Sequence, residues 1–163
     1  MGDFQRKQPI FVLRMTLKQK TYLHCRQTVN DKISLLQQVL ADLKESGANE
    51  TKSTAGDKHE TALAMLQIEQ ANVRGQLKEA LEQKTILEKI NPAASAPYVV
   101  NGSLVKTNKG YFFVSCASGK VIVDGLTVTP ISPQSPLGSK LMGLHPNDTI
   151  ELNNNHFLIE GIE

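Results

Sequence analysis

The sequence predicts an α+β protein: an N-terminal antiparallel α-helical coiled-coil hairpin followed by a small β-rich domain. Three observations predict it. Apolar residues recur at helical spacing up to about residue 90 and at the two-residue spacing of strands after it. The stretch from Leu17 to Lys44 contains neither Gly nor Pro. Turn-forming pairs crowd the second half instead, at Asn101-Gly102, Ser118-Gly119 and Asp124-Gly125.

The first helix is expected over residues 17–44. Val29, Ile33, Leu36, Leu40 and Leu43 recur at alternating intervals of four and three, which is a heptad seam. Gln, Lys and Leu, all good helix formers, dominate the stretch, and a helix of that length spans roughly 40 Å. Residues 46–56 are small and polar and read as a loop. A second helix is expected from about Asp57 to Ile90, with Leu66, Val73, Leu77, Ala80 and Leu87 on one face. Met65 and Ile68 read as packing residues of the same helix. Asn91-Pro92 ends it, because a residue before Pro disfavours the helical region. Neither helix is stable alone, since burial of the apolar stripe supplies most of the stability.

The expected organisation is an N-terminal extension over 1–14, the hairpin with its tip over 15–91, a linker over 92–98 and the β-rich domain over 99–163. In the last of these, Val99-Val100, 103–105, 111–114 and 121–123 are short β-branched or aromatic runs. Pro136 to Met142 reads as a brief helix, and 149–152 with 157–159 close the sheet around a turn at 153–155.

Composition narrows the function classes. Hydrophobic residues make up 40% of the 163 and charged residues 21%, which places the chain among globular proteins and not disordered ones. Aromatics are 5% with no Trp, which suits thin helical packing better than one thick core. The net charge of +2 is too small to announce nucleic-acid binding. Residues 1–92 hold 14 Lys/Arg against 11 Asp/Glu, a balance of +3, and residues 93–163 hold 4 against 5, a balance of −1. A phosphate-contacting surface is therefore expected on the first half, where Lys52, Lys58, Arg74 and Lys78 are the candidate phosphate contacts. The plainer reading of Arg74 and Lys78 is the solvated face of an ordinary helix, interleaved with Glu79, Glu82 and Glu88. Cys25 and Cys116 lie in different halves without ligand spacing, so neither a disulfide framework nor a zinc site is expected. The apolar run Ile10-Phe11-Val12-Leu13 is too short for a membrane span. These features predict a soluble cytoplasmic protein with no membrane partner, and a hairpin that satisfies its own seam predicts a monomer.

The sharpest chemical candidates are Asp57 and Glu60, in the run Gly56-Asp57-Lys58-His59-Glu60-Thr61-Ala62. Positions three apart share a helix face. A pair of carboxylates holds Mg²⁺ weakly by itself, because that ion keeps several waters and takes further oxygens from a phosphate or a partner. The same spacing also makes a capping box, with Asp57 at the N-cap and Glu60 at N3. Spacing alone favours the cap, because caps of this kind are common.

This run resembles the Gly-Asp-x-x-Glu-Asn-Ala tip of the Gre transcript-cleavage factors of bacterial RNA polymerase, with Thr61 in place of Asn. Met15-Thr16-Leu17 is similar to that family's entry into its first helix. Ile131-Ser132-Pro133-Gln134-Ser135-Pro136-Leu137, Leu141-Met142-Gly143 and Asn147-Asp148-Thr149-Ile150 resemble its Ile-Ser-x-x-Ser-Pro-Ile, Leu-Ile-Gly and Asp-Asp-Val-Val segments. The resemblance runs over about residues 15–163. It implies that the β-rich domain is FKBP-like and that the hairpin enters the secondary channel of the polymerase. It further implies that Asp57 helps to hold a Mg²⁺ shared with the polymerase, and that Glu60 orients or deprotonates the water that attacks the nascent RNA 3′ end. The chain would then be a donor of catalytic groups and not itself an enzyme. Ser135 and Pro136 match the loop by which the family docks on the channel rim, and they are also a common N-cap and N1 pair.

Two other readings stay open. The outgoing arm from Met15 to Asp57 is about two helical turns longer than the family's, and Lys52, Lys58 and His59 flank the acids. Both features fit a regulator that occupies the channel without stimulating cleavage. A prolyl-isomerase-like pocket built from Tyr98, Tyr111, Phe112, Phe113 and Phe157 is the third.

Overall fold

The computed structural model describes residues 14–50 and 56–163, and only the backbone at 50 and 56–59. Two long helices are followed by a six-stranded mixed sheet with one short helix, an α+β architecture. The chain divides into two compact units, one being Arg26–Lys89 and the other Ile90–Glu163 together with the described part of Met1–Cys25.

Helix α1 spans Leu17–Glu50, 34 residues, and α2 spans Gly56–Glu88, 33 residues, so each is about 50 Å long. The start of α1 is a reciprocal capping box. Gln19 N donates to Thr16 Oγ1 at 3.1 Å, and Thr16 N donates to Gln19 Oε1 at 3.0 Å. The loop expected at 46–56 does not begin at 46: α1 continues through Ser46, Gly47, Ala48 and Asn49 to Glu50, and 51–55 lie outside the described residues. Extending a formed helix adds one hydrogen bond per residue, whereas a new helix must first nucleate, so weak formers at the end of a long helix are carried along. Gly47 also lies beside α2, where an added Cβ would stand 3.8 Å from Gln70 Nε2.

In the Arg26–Lys89 unit the heptad seam is buried in a graded way. Val29, Ile33 and Leu36 on α1 and Val73, Ala80 and Leu87 on α2 are buried, while Leu40, Leu43, Leu66 and Leu77 are half-buried. Gln70 Nε2 donates to the Leu43 carbonyl, which ties the two helices across the seam. Met65 and Ile68 do not pack, contrary to the sequence expectation. They are 66% and 63% exposed, because at about 100° per residue positions 65 and 68 both lie well round the helix from Leu66 and its 66–73–80–87 stripe.

In the other unit the strands are β1 (Leu104–Thr107), β2 (Gly110–Val114), β3 (Val121–Val123), β4 (Leu126–Ile131), β5 (Thr149–Leu152) and β6 (Asn155–Ile162), with α3 (Pro136–Leu141) between β4 and β5. Their order in the sheet is β3-β4-β2-β1-β6-β5. All neighbours are antiparallel except β2 and β4. Turn chemistry fixes the hairpin registers. Asp124 and Gly125 between β3 and β4 both have positive φ, and so do Asn153 and Asn154 between β5 and β6, as type I′ turns require.

Strand β4 is absent from the sequence expectation because Pro130 sits inside it. Pro cannot donate to a ladder and normally excludes a central strand. Here β3 pairs β4 only through Leu126, Thr127 and Val128, so beyond Val128 the strand has β2 on one side alone. Val99-Val100, expected as a strand, is instead extended chain. Val99 N donates to Leu144 O and Val99 O accepts from Gly143 N, and the Val99 side chain is buried. The core joins Val99, Val105, Val114, Leu141 and Ile159, with Ile131, Leu137 and Ile150 packed on it.

The root of α1 belongs to this unit. Lys18, Thr21, Tyr22 and Cys25 are buried there. Lys18 Nζ donates to the Ala94 carbonyl, and Lys20 Nζ pairs with Asp124 Oδ2 at 2.7 Å.

Candidate functional site

The candidate acids lie at the beginning of α2. The helix starts at Gly56, so position 57 is inside its first turn and position 60 is one turn further on the same helix. Asp57 is thus not the residue that precedes the helix, which the capping-box reading needs. Glu60 is exposed. The Asp57, Lys58 and His59 side chains and the whole of Lys52 lie outside the described residues. A carboxylate at position 57, in the first turn, is favoured there by the helix dipole, and the exposed Glu60 is open to a partner. Among the described residues no group of three or more His, Cys, Asp or Glu gathers to hold a metal ion. Two carboxylates alone make a sparse donor set for a hard cation, which takes further oxygens from a phosphate or a partner.

Arg74 and Lys78 are exposed and four residues apart, so they share one face of α2. They begin fourteen residues after Glu60, or about 20 Å along the helix.

The second candidate, Ser135 and Pro136, is a built turn. Ser135 is the N-cap of α3 with Pro136 in its first turn. Its hydroxyl accepts from Gly138 N at 3.0 Å and donates to Ser132 O at 2.6 Å. Ser132 Oγ in turn accepts from Gln134 N at 3.1 Å. Pro136 is exposed and Ser135 half-buried, so the turn presents the ring outward on a fixed backbone.

The aromatic residues go to separate places. Phe113 is fully buried, Phe112 packs edge-on to Phe157 with centroids 6.1 Å apart, and Tyr98 pairs with His145 at 5.9 Å. Tyr111 borders a shallow cavity with Leu17, Leu104 and Ile162. Sequence reasoning missed the Thr16–Gln19 capping box and the ion pair of Lys20 with Asp124. The first was legible as Thr-x-x-Gln ahead of an apolar period; the second joins residues 104 positions apart and left no local signal.

No helix among the described residues is long and apolar enough to cross a membrane. No protein-family model matches the chain, and no curated protein does. Among solved structures the chain is similar to that of the transcription factor Gfh1, at 18% identity over 86% of this chain and 92% of that one, with a TM-score of 0.29.

Proposed function

We propose that this chain is a Gre-type transcription elongation factor that binds bacterial RNA polymerase. Its hairpin enters the secondary channel and stimulates cleavage of backtracked RNA, acting as a monomer and lending acids to an active site that is the polymerase's own. The observation that carries the reading is the Asp57-x-x-Glu60 pair one turn apart at the start of a helix of 33 residues, with Glu60 exposed. A pair of acids at the far end of a long, thin hairpin contributes nothing to a core and is well placed for delivery. In-line hydrolysis of a phosphodiester is served by Mg²⁺, which supplies charge stabilisation at the attacking and leaving oxygens when bound. Asp57, with the polymerase carboxylates, would hold it. Glu60 orients the attacking water or takes its proton. The exposed turn at Ser135 and Pro136 is the docking point on the channel rim, and Lys52, Lys58, Arg74 and Lys78 face the nascent RNA.

The reading is tested by RNA cleavage in a stalled, backtracked complex of the cognate polymerase at fixed Mg²⁺. Wild type is expected to stimulate cleavage, and Asp57→Ala/Glu60→Ala to bind without stimulating it. Equal cleavage by both proteins would falsify the role of the acids.

A second reading, a channel-occupying regulator without cleavage activity, is favoured by one observation. Helix α1 runs to Glu50, so most of the outgoing arm is rigid helix, and an arm about two turns longer than the family's carries the acids past the family's reach. Polymerase inhibition by wild type with no cleavage would select it.

A further inference from the structure

Strand β3 ends the sheet, with β4 as its one neighbour among the described residues. It pairs with β4 through Val121, Ile122 and Val123, around the turn at Asp124 and Gly125. Bonded pairs alternate in an antiparallel ladder, and beside a two-residue turn the flanking pair, here Val123 and Leu126, is a bonded one. The N–H and C=O of Ile122 therefore point to the open edge. Ile122 is 70% exposed, more than any other large apolar residue described. Next to it lies a cleft of about 190 Å³, walled by Met15, by Leu23 and His24 on α1, and by Ile122 and Val123 on β3. All of these belong to the unit that contains the sheet. Lys20 and Asp124 border the cleft too, but they are paired with each other. A drug-sized ligand needs roughly 300 Å³ or more, so this cleft suits side chains instead.

The course of the chain narrows what covers this edge. Residues 1–13 lie outside the described residues, and the chain passes from them through Arg14 to Met15, on the wall of the cleft. The longest apolar run among them, Ile10-Phe11-Val12-Leu13, contains three residues of high strand propensity and precedes Met15 by two to five positions. At roughly 3.3–3.6 Å per residue, the whole run lies within about 18 Å of Met15. We propose that residues 10–13 dock here as a strand added to the open edge of β3. Main-chain bonds to Ile122 extend the ladder, and alternation puts one pair of the added side chains on the Ile122 face. Linkage favours the chain's own segment over a second copy. A short link gives an effective concentration on the order of mM, far above a separate chain at ~1 μM. The dock has a use, because an open apolar edge is a template for pairing with other chains, and covering it keeps the chain single.

The chain contains no Trp, so Phe11→Trp in the full chain carries the sole indole and reports its surroundings. Its emission is expected to be blue-shifted from that of the same protein in urea, and to resist quenching by iodide. Adding Ile122→Asp, a change at an exposed position, is expected to remove both the shift and the protection while far-UV circular dichroism stays the same. An indole quenched as freely in buffer as in urea would overturn the proposal. So would a blue shift that Ile122→Asp leaves intact, since the segment would then lie elsewhere. Protection that rises with protein concentration together with a dimer would overturn it as well, by making a second copy the occupant. The unmodified chain gives an independent reading by hydrogen exchange. The Ile122 amide is expected to be protected at the open edge, and exchange at the rate of an unstructured amide would overturn the proposal equally.

Discussion

The Ser135 hydroxyl accepts from the Gly138 amide at 3.0 Å, and a Cβ on Gly138 would stand 2.0 Å from the Ser132 carbonyl oxygen. One closed turn therefore fixes both residues. Ser135→Ala removes an N-cap and is expected to cost about 1 kcal/mol. Gly138→Ala forces a side chain into backbone and is expected to cost more, on the order of 2–3 kcal/mol. Urea denaturation of the two variants checks the order. If Gly138→Ala proved the milder, the turn would not be rigid and its use as a docking surface would lose its basis.

The capping box at the start of α1 leads to a second prediction. Thr16 is exposed, so Thr16→Ala removes a capping bond without opening a cavity. A loss of about 1 kcal/mol is expected, with Thr16→Ser near neutral because it keeps the oxygen. Equal stability of the alanine and serine variants would show that the cap contributes nothing.

How much of this was legible in the sequence depended on how local the cause was. The heptad of α1, the Asp124-Gly125 turn and the Ser135-Pro136 cap are each written within a few residues, and each appears where the pattern put it. Strand β4 was not legible, because Pro130 is tolerated only through the early end of β3, a fact of pairing and not of propensity. The end of α1 was misplaced because small polar residues lower helix propensity but do not overrule an adjacent formed helix. The pairing of Lys20 with Asp124 was invisible because only the fold brings such distant positions together. Of the candidate site, the spacing of Asp57 and Glu60 and their place at a helix start were legible, whereas the continuation of the preceding helix to Glu50 was not.

The third prediction concerns the correction at Met65 and Ile68. Exposed by 66% and 63%, they are expected to tolerate change to Gln within about 0.5 kcal/mol. Leu87 is 1% exposed on the seam of the same helix, and Leu87→Ala is expected to cost about 2–4 kcal/mol. Thermal or urea unfolding followed by far-UV circular dichroism separates the two outcomes. A large loss in the Gln variants would mean that both side chains are covered in solution.

Alkaline pH offers the fourth. Burial, the largest cause, raises the Cys25 thiol from 9.0 to about 11, with the Ser118 hydroxyl acting in the opposite sense. Burial also raises Cys116. A thiol with its folded pKa above the unfolded value keeps its proton longer in the folded state. Its contribution is fully present below the unfolded pKa and is lost as pH rises through the folded one. For Cys25 that window runs from about 9 to about 11 and is worth on the order of 2–3 kcal/mol. Lys18 acts the other way. Burial lowers its pKa, partly countered by Glu163, so the folded state binds fewer protons there and stability rises with pH through that titration. Other groups titrate in the same range, which makes the informative quantity the difference between wild type and Cys25→Ser. Urea midpoints of the reduced proteins are expected to converge as pH rises through this window, wild type losing stability that the serine variant never had. Parallel curves would mean that the thiol titrates alike in the folded and unfolded chains and is not held in a buried cluster.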